Sequence, residues 1–78
     1  MTLDQIAVGN DFVISSLFAQ GEIRRRLVDM GFVSGARGRL LRKALLGGPI
    51  EVSLGTWRVA VRLTEARGIE VVGSDARA

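Results

Sequence analysis

The chain has 78 residues, of which 47% are hydrophobic and 24% charged, with a net charge of +3, so it suits one small globular domain. It contains no cysteine, histidine or tyrosine, which excludes disulfides, thiolate zinc sites and most pairs of a nucleophile and a base. The sequence therefore predicts a protein that is not an enzyme and that has no cofactor and no dedicated metal site. It also shows no signal peptide and no apolar segment of about 20 residues, so we expect a cytoplasmic protein that does not insert into a membrane.

The first half of the chain predicts a helical turn, a strand and a helix. Thr2 and Gln5 have the spacing of a capping box, which begins a short turn. Apolar and polar residues then alternate over 11–17, as in a strand. From Glu22 the apolar residues recur at helical spacing, and Glu22 precedes Arg26 by four residues, the spacing of an intrahelical ion pair.

The second half predicts strands, with one capped turn before the last of them. The first of these strands covers residues 36–44. Residues 50–54 and 57–61 alternate on either side of a two-residue loop, which predicts a hairpin, and a final short strand is expected at 69–72. We expect the hairpin to place three cross-strand pairs in the core: Ile50 with Val61, Val52 with Val59, and Leu54 with Trp57.

Glycines and the single proline mark the predicted turns. Gly31 is expected to end the helix with a positive φ, and Gly35 lies in the tight connection that follows. Gly55 suits the first position of a type II′ hairpin loop. In the loop before residues 50–54, Gly47 makes the backbone adaptable, and Pro49 directs the chain into the next strand. We therefore assign structural roles to these five residues.

Five short strands with one helix between the first two predict an all-β protein, a small five-stranded barrel with short helical turns. We expect a single domain over residues 1–78, with its core at about 9–72. Residues 73–78 lack an apolar anchor and are expected to fray.

A short loop carries the strongest candidate for a binding surface. Leu45 and Leu46 are consecutive, so strand alternation cannot bury both of them. We expect at least one to be exposed at the centre of a contact with a partner or with a second copy of the chain. Trp57, in the neighbouring hairpin, is assigned to the same surface, and Arg24 and Arg25 would form its polar rim.

Ten of the eleven basic residues are arginines, which leaves two other functions open. Arginine binds phosphate bidentately, so a small nucleic-acid-binding barrel is the alternative. Few aromatic residues remain for base stacking, however, and we expect no nucleic-acid partner. Surface carboxylates could hold a cation weakly, which makes a weak transition-metal-binding domain the second alternative.

Three segments together resemble the FeoA family of bacterial ferrous iron transport: Arg24-Arg25-Arg26-Leu27-Val28-Asp29-Met30-Gly31, Ala44-Leu45-Leu46-Gly47-Gly48-Pro49-Ile50, and Ala60-Val61-Arg62 with Glu65-Ala66. The chain departs from the family pattern at Ser34 and Leu45, where proline is usual, and at Gly48, where an acidic residue is common. The resemblance implies a five-stranded SH3-like barrel and a cytoplasmic accessory protein that binds the membrane transporter FeoB at its GTPase part. It leaves open whether the protein activates, inhibits or assembles the transporter, and whether it forms homo-oligomers.

Overall fold

The structure, a computed structural model, describes residues 1–74 and consists mainly of β-strands. In chain order its elements are a 3-10 turn (Leu3–Gln5), β1 (Asp11–Leu17), α1 (Gly21–Asp29), β2 (Arg37–Lys43), a second 3-10 turn (Leu45–Gly47), β3 (Ile50–Leu54), β4 (Trp57–Val61), α2 (Leu63–Ala66) and β5 (Ile69–Ser74). The strands pair antiparallel in one sheet, in the order β4-β3-β2-β1-β5. The prediction of a mainly β fold with five strands and one helix between the first two is confirmed. None of the helices in this part of the chain has the length and apolarity to cross a membrane.

One hydrophobic core holds the sheet, the helices and the first turn together. Two β-bulges bend the sheet around it, because Ser15 in β1 and Leu41 in β2 are each one residue more than the partner strand supplies. Phe12 and Phe32 are the largest buried side chains. The remaining buried apolar residues are Leu3, Ile6, Ile14, Leu27, Leu40, Ile50, Val52, Leu54, Val61, Ala66, Ile69 and Val71.

The hairpin of β3 and β4 has the predicted register but not the predicted burial. Leu54 pairs with Trp57 across the loop, and Gly55 has a φ of +60°, as a type II′ turn requires. Trp57, however, is 67% exposed, and Val59 is only half-buried. The prediction of a core position was therefore wrong for Trp57, whereas Val59 does pack against the core. Strand alternation fixes which face a side chain is on, whereas its burial depends on what covers that face.

The end of α1 is fixed by a Schellman motif. The N–H of Gly31 donates to the Val28 carbonyl at 3.0 Å, and the N–H of Phe32 donates to the Leu27 carbonyl at 3.0 Å. Gly31 has a φ of +105°, which confirms it as the left-handed residue that ends the helix. The side chains of Leu27 and Phe32 are both fully buried, so the helix end is anchored to the core.

The ion pair expected within α1 is replaced by a longer-range one. Arg26 pairs with Glu65 of α2, not with Glu22. Glu22 instead lies 3.9 Å from the guanidinium of Arg25, where both side chains are exposed. The buried carboxylate of Glu65, 6% exposed, gains far more from a charged partner than an exposed one does.

Two strands, β2 and β5, have other bounds than those predicted. β2 spans Arg37–Lys43, one residue shorter at each end than the predicted 36–44. β5 continues to Ser74 because Gly73 pairs with Phe12 and Ser74 with Asp11. The prediction of a frayed tail was therefore wrong for residues 73–74, and its remainder, 75–78, lies outside the described residues.

Truncation of the hairpin residues tests this account of their burial. Leu54→Ala removes a buried side chain, so we expect the free energy of unfolding to fall by about 2–4 kcal/mol. Trp57→Ala removes a larger but mostly exposed side chain and should cost less than about 1 kcal/mol. Urea denaturation followed by circular dichroism measures both. A larger loss for Trp57→Ala than for Leu54→Ala would contradict the observed burial.

Two glycine substitutions, neither of which causes a steric clash, test the backbone strain at Gly31. An added Cβ at Gly31 would meet only Leu54 Cδ1, at an ordinary 3.6 Å, so Gly31→Ala should cost about 1–2 kcal/mol through its positive φ alone. Gly73 in β5 has open space around it and no positive φ, so Gly73→Ala should not lower stability. Thermal unfolding of the two variants gives the comparison, and equal effects would exclude strain at Gly31.

Candidate partner-binding surface

The second 3-10 turn, which we call the leucine turn (Leu45–Gly47), projects two large apolar side chains into solvent. Leu45 is 87% exposed and Leu46 is fully exposed. The backbone around them is nevertheless well held. The N–H of Ala44 donates to the Pro49 carbonyl at 3.0 Å, and the N–H of Gly48 donates to the Leu45 carbonyl at 3.3 Å. The expected exposure of at least one leucine is confirmed, whereas the role of these residues in binding stays a prediction.

Leu46 adopts a backbone conformation that is unfavourable for its residue type. Its φ of 59° and ψ of 41° are left-handed, and no other non-glycine residue in the described chain has a positive φ. For a residue with a Cβ this costs about 1–2 kcal/mol. Gly47 follows with a φ of +77°, and a Cβ at Gly48 would lie 2.6 Å from the Ala44 Cβ. A side chain would therefore be strained at Gly47 by the positive φ and would clash with Ala44 at Gly48, and the shape of the turn directs Leu46 outward at a cost in stability.

The leucine turn lies near Leu63 of α2. A Cβ at Gly47 would lie 3.7 Å from Leu63 Cδ2, which is normal packing distance, and Leu63 packs in turn on the core. The N–H of Arg62 donates to the Glu65 carboxylate at 2.9 Å and so begins α2. Sequence reasoning missed Glu65 as the organising residue. Glu65 lies three residues after Arg62, the N-cap of α2, and this capping-box spacing is the signal that could have identified it.

Trp57 belongs to a different part of the surface. It borders an open groove of about 660 Å³, whose lining residues are Gly31, Gly35, Ala36, Arg37, Leu54, Gly55, Thr56 and Trp57. The leucine turn precedes Ile50, the first residue of β3, whereas Trp57 pairs with Leu54, its last. Four residue steps along a strand span about 13 Å. The structure therefore places Trp57 and the two leucines at opposite ends of the hairpin, and the single surface that the sequence predicted is divided.

The predicted rim arginines both lie on α1. A guanidinium nitrogen of Arg24 donates to the Leu17 carbonyl at 3.2 Å, so this side chain also ties the helix to the end of β1. Arg25 is exposed and lies 3.9 Å from the Glu22 carboxylate. Arg26 of α1 pairs with Glu65 of α2, and Leu63 of α2 lies near Gly47 of the leucine turn.

Several other charges are balanced within the sheet. Arg39 of β2 donates to the Asp11 carboxylate at 2.5 Å, and this hydrogen bond and charge raise the pKa of Arg39 above its ordinary value. Arg42 lies 3.7 Å from the Glu51 carboxylate. These pairs reduce the positive potential that a nucleic-acid surface would need. Within residues 1–74, no group of three or more acidic side chains is placed to hold a metal ion.

Glycine substitutions in the leucine turn test the strain at Leu46. Leu46→Gly loses no packing, because the side chain is fully exposed, and it relieves the left-handed conformation. Since the relief exceeds the added chain entropy of glycine, we expect stability to rise by about 0.5–1 kcal/mol. The matched change Leu45→Gly, where φ is negative, should lower it by a similar amount. Calorimetric melting temperatures provide the test, and a lower value for Leu46→Gly would exclude the strain.

The comparisons with known proteins agree with one another. The FeoA domain family matches residues 1–72. A Campylobacter jejuni protein assigned as Fe(2+) transport protein A is 34% identical over 71 residues, which cover 91% of this chain and 96% of that protein. The solution structure of FeoA protein from Chlorobium tepidum has a TM-score of 0.84 at 41% identity, covering 91% of this chain and 68% of that one.

A further similar structure belongs to a protein described as an SH3 domain. FeoA of Stenotrophomonas maltophilia, crystallised with zinc and described as a procaryotic SH3 domain protein, has a TM-score of 0.81 at 34% identity. The similarity covers 92% of this chain and 89% of that one. The predicted SH3-like fold is thus confirmed. The chain belongs to the FeoA family of ferrous iron transport accessory proteins.

Proposed function

We propose that this protein is a cytoplasmic, non-enzymatic accessory protein that binds the GTPase part of the transporter FeoB and modulates ferrous iron uptake. Family membership supports a role in ferrous iron transport. The Stenotrophomonas maltophilia relative has itself been suggested as an activating factor of ferrous iron transport. The observation that carries the proposal is the leucine turn, in which two leucines are exposed and one is held in a strained conformation.

Exposed leucines in a strained turn are costly for a domain of this size. Small domains have little stability in excess, since their total is only about 5–15 kcal/mol. Strain of this kind is concentrated at functional sites, where the conformation serves binding. The centres of protein interfaces are apolar and their rims charged. Leu45 and Leu46 fit such a centre, and exposed Arg25 fits a rim that guides encounter with an acidic partner surface.

Binding measurements with leucine variants test the proposal. The purified GTPase part of FeoB from the same organism is titrated with the parent protein by calorimetry, with and without GTP. We expect Leu45→Asp and Leu46→Asp to weaken binding by at least about tenfold, equivalent to about 1.4 kcal/mol. Arg25→Ala should weaken it by less than about threefold.

A matched control uses an exposed apolar residue outside the turn. Val8 is 56% exposed and lies in the loop before β1, so Val8→Asp adds the same charge elsewhere. It should bind like the parent. Circular dichroism must show equal folded fractions for all variants. Absence of binding by the parent would reject FeoB as the partner, and folded aspartate variants that bind normally would reject the leucine turn as the contact.

A further inference from the structure

The two edge strands of the sheet, β5 and β4, differ in whether another segment of the chain pairs with them. β5 is covered by the first residues of the chain: the Met1 carbonyl accepts the Val71 N–H at 2.8 Å, and Thr2 forms a bridge with Glu70. The amino group of Met1 also donates to the Glu70 carboxylate at 3.0 Å. β4 forms the opposite edge, and in residues 1–74 no strand pairs with its far side.

The register of the hairpin identifies which backbone groups of β4 are free. Residues that flank a two-residue loop exchange both hydrogen bonds, and the pattern alternates from there along the strands. Trp57, Val59 and Val61 therefore bond to β3, whereas the N–H and C=O groups of Arg58 and Ala60 point away from it. Both residues are exposed, and no loop hydrogen bond in the described chain reaches their backbone.

The free edge has a defined end. The N–H of Arg62 is bonded to the Glu65 carboxylate at 2.9 Å, and the Arg62 carbonyl accepts the N–H groups of Glu65 and Ala66. Four backbone groups, two donors and two acceptors, thus remain between the hairpin loop and α2. An extended segment of about three to five residues could pair with all four of them.

We propose that β4 accepts an extended segment of a partner protein as a sixth strand, and that this segment alternates acidic and apolar residues. The solvent face of β4 carries Arg58, with Arg62 just beyond the strand end, so acidic side chains of the segment would meet positive charge there. The other face presents Trp57 and half-buried Val59, which apolar side chains would cover. Glu51, which pairs with Ala60 across the hairpin, lies 3.7 Å from Arg42. It therefore does not balance the charges of Arg58 and Arg62.

The same charges argue against a second copy of the chain as the occupant. Pairing of β4 with β4 through the free groups allows three antiparallel registers, centred on Arg58, between Arg58 and Ala60, or on Ala60. The first and third place arginines directly opposite each other, and the second places them diagonally. Like charges opposed across strands are destabilising. This edge is distinct from the leucine turn, and the proposal does not depend on FeoB as the partner.

A peptide titration tests the proposal. The probe is a blocked pentapeptide of alternating glutamate and valine, and its lysine-valine counterpart is the charge control. Trp57 is the only tryptophan, so its fluorescence reports binding, and amide NMR shifts locate it. We expect the glutamate peptide to bind with a Kd of about 1 mM or lower, to slow exchange of the Arg58 and Ala60 amides, and to bind at least about tenfold tighter than the lysine peptide. No binding at this concentration, or shifts centred elsewhere, would overturn the proposal.

Two edge variants complete the test. Ala60→Pro deletes a free donor and no sheet bond, because proline is tolerated on edge strands, and it should weaken glutamate-peptide binding at least about tenfold. Ala60→Val keeps the donor and should bind like the parent. If Ala60→Pro fails to fold, Arg58→Glu decides, since it should reverse the preference between the two peptides. Unchanged binding by a folded Ala60→Pro or by Arg58→Glu would overturn the proposal, as would a parent dimer in sedimentation that Ala60→Pro abolishes.

Discussion

The buried carboxylate of Glu65 is the interaction on which the arrangement of this protein depends. It accepts the Arg62 N–H at the end of β4 and pairs with Arg26 of α1, so one side chain joins three elements. Removing Arg26 would leave the poorly hydrated carboxylate of Glu65 without its charged partner, which is strongly unfavourable. α2, fixed in this way, lies near the leucine turn at Leu63 and follows the free edge of β4. Both candidate contact surfaces therefore lie beside an element whose position this buried carboxylate fixes.

The small size of the barrel explains why these surfaces are on its outside. The core is filled by side chains from all parts of the chain, including Phe12 and Phe32, and the depressions on the surface of residues 1–74 that border α1, β2 and the hairpin are open to solvent. A domain this small cannot remove side chains from its core without losing stability. Recognition must then use loops and strand edges, where exposed leucines and unpaired backbone groups cost less.

The sequence predicted local features well and non-local ones poorly. Alternation placed β1, β3 and β4 correctly, and the turn chemistry of Gly31 and Gly55 is visible in their positive φ. The burial of Trp57 could not be predicted, because it depends on whether any other element covers the end of the hairpin. The partner of Arg26 lies 39 residues away in sequence, beyond any helical spacing rule. The strained φ of Leu46 has no sequence signal, since leucine is not expected in that conformation.

The contact between the first residues and β5 also has consequences for how the chain folds. The amino group of Met1 and Glu70 are separated by 69 positions in the sequence, and β1 can pair with β5 only after the intervening chain is brought together. The β3–β4 hairpin, by contrast, closes through two residues. Loop closure between distant segments is entropically costly and slows folding. We therefore expect the hairpin to form early and the barrel to close last, so that a nascent chain keeps apolar β1 unprotected until its final strand has left the ribosome.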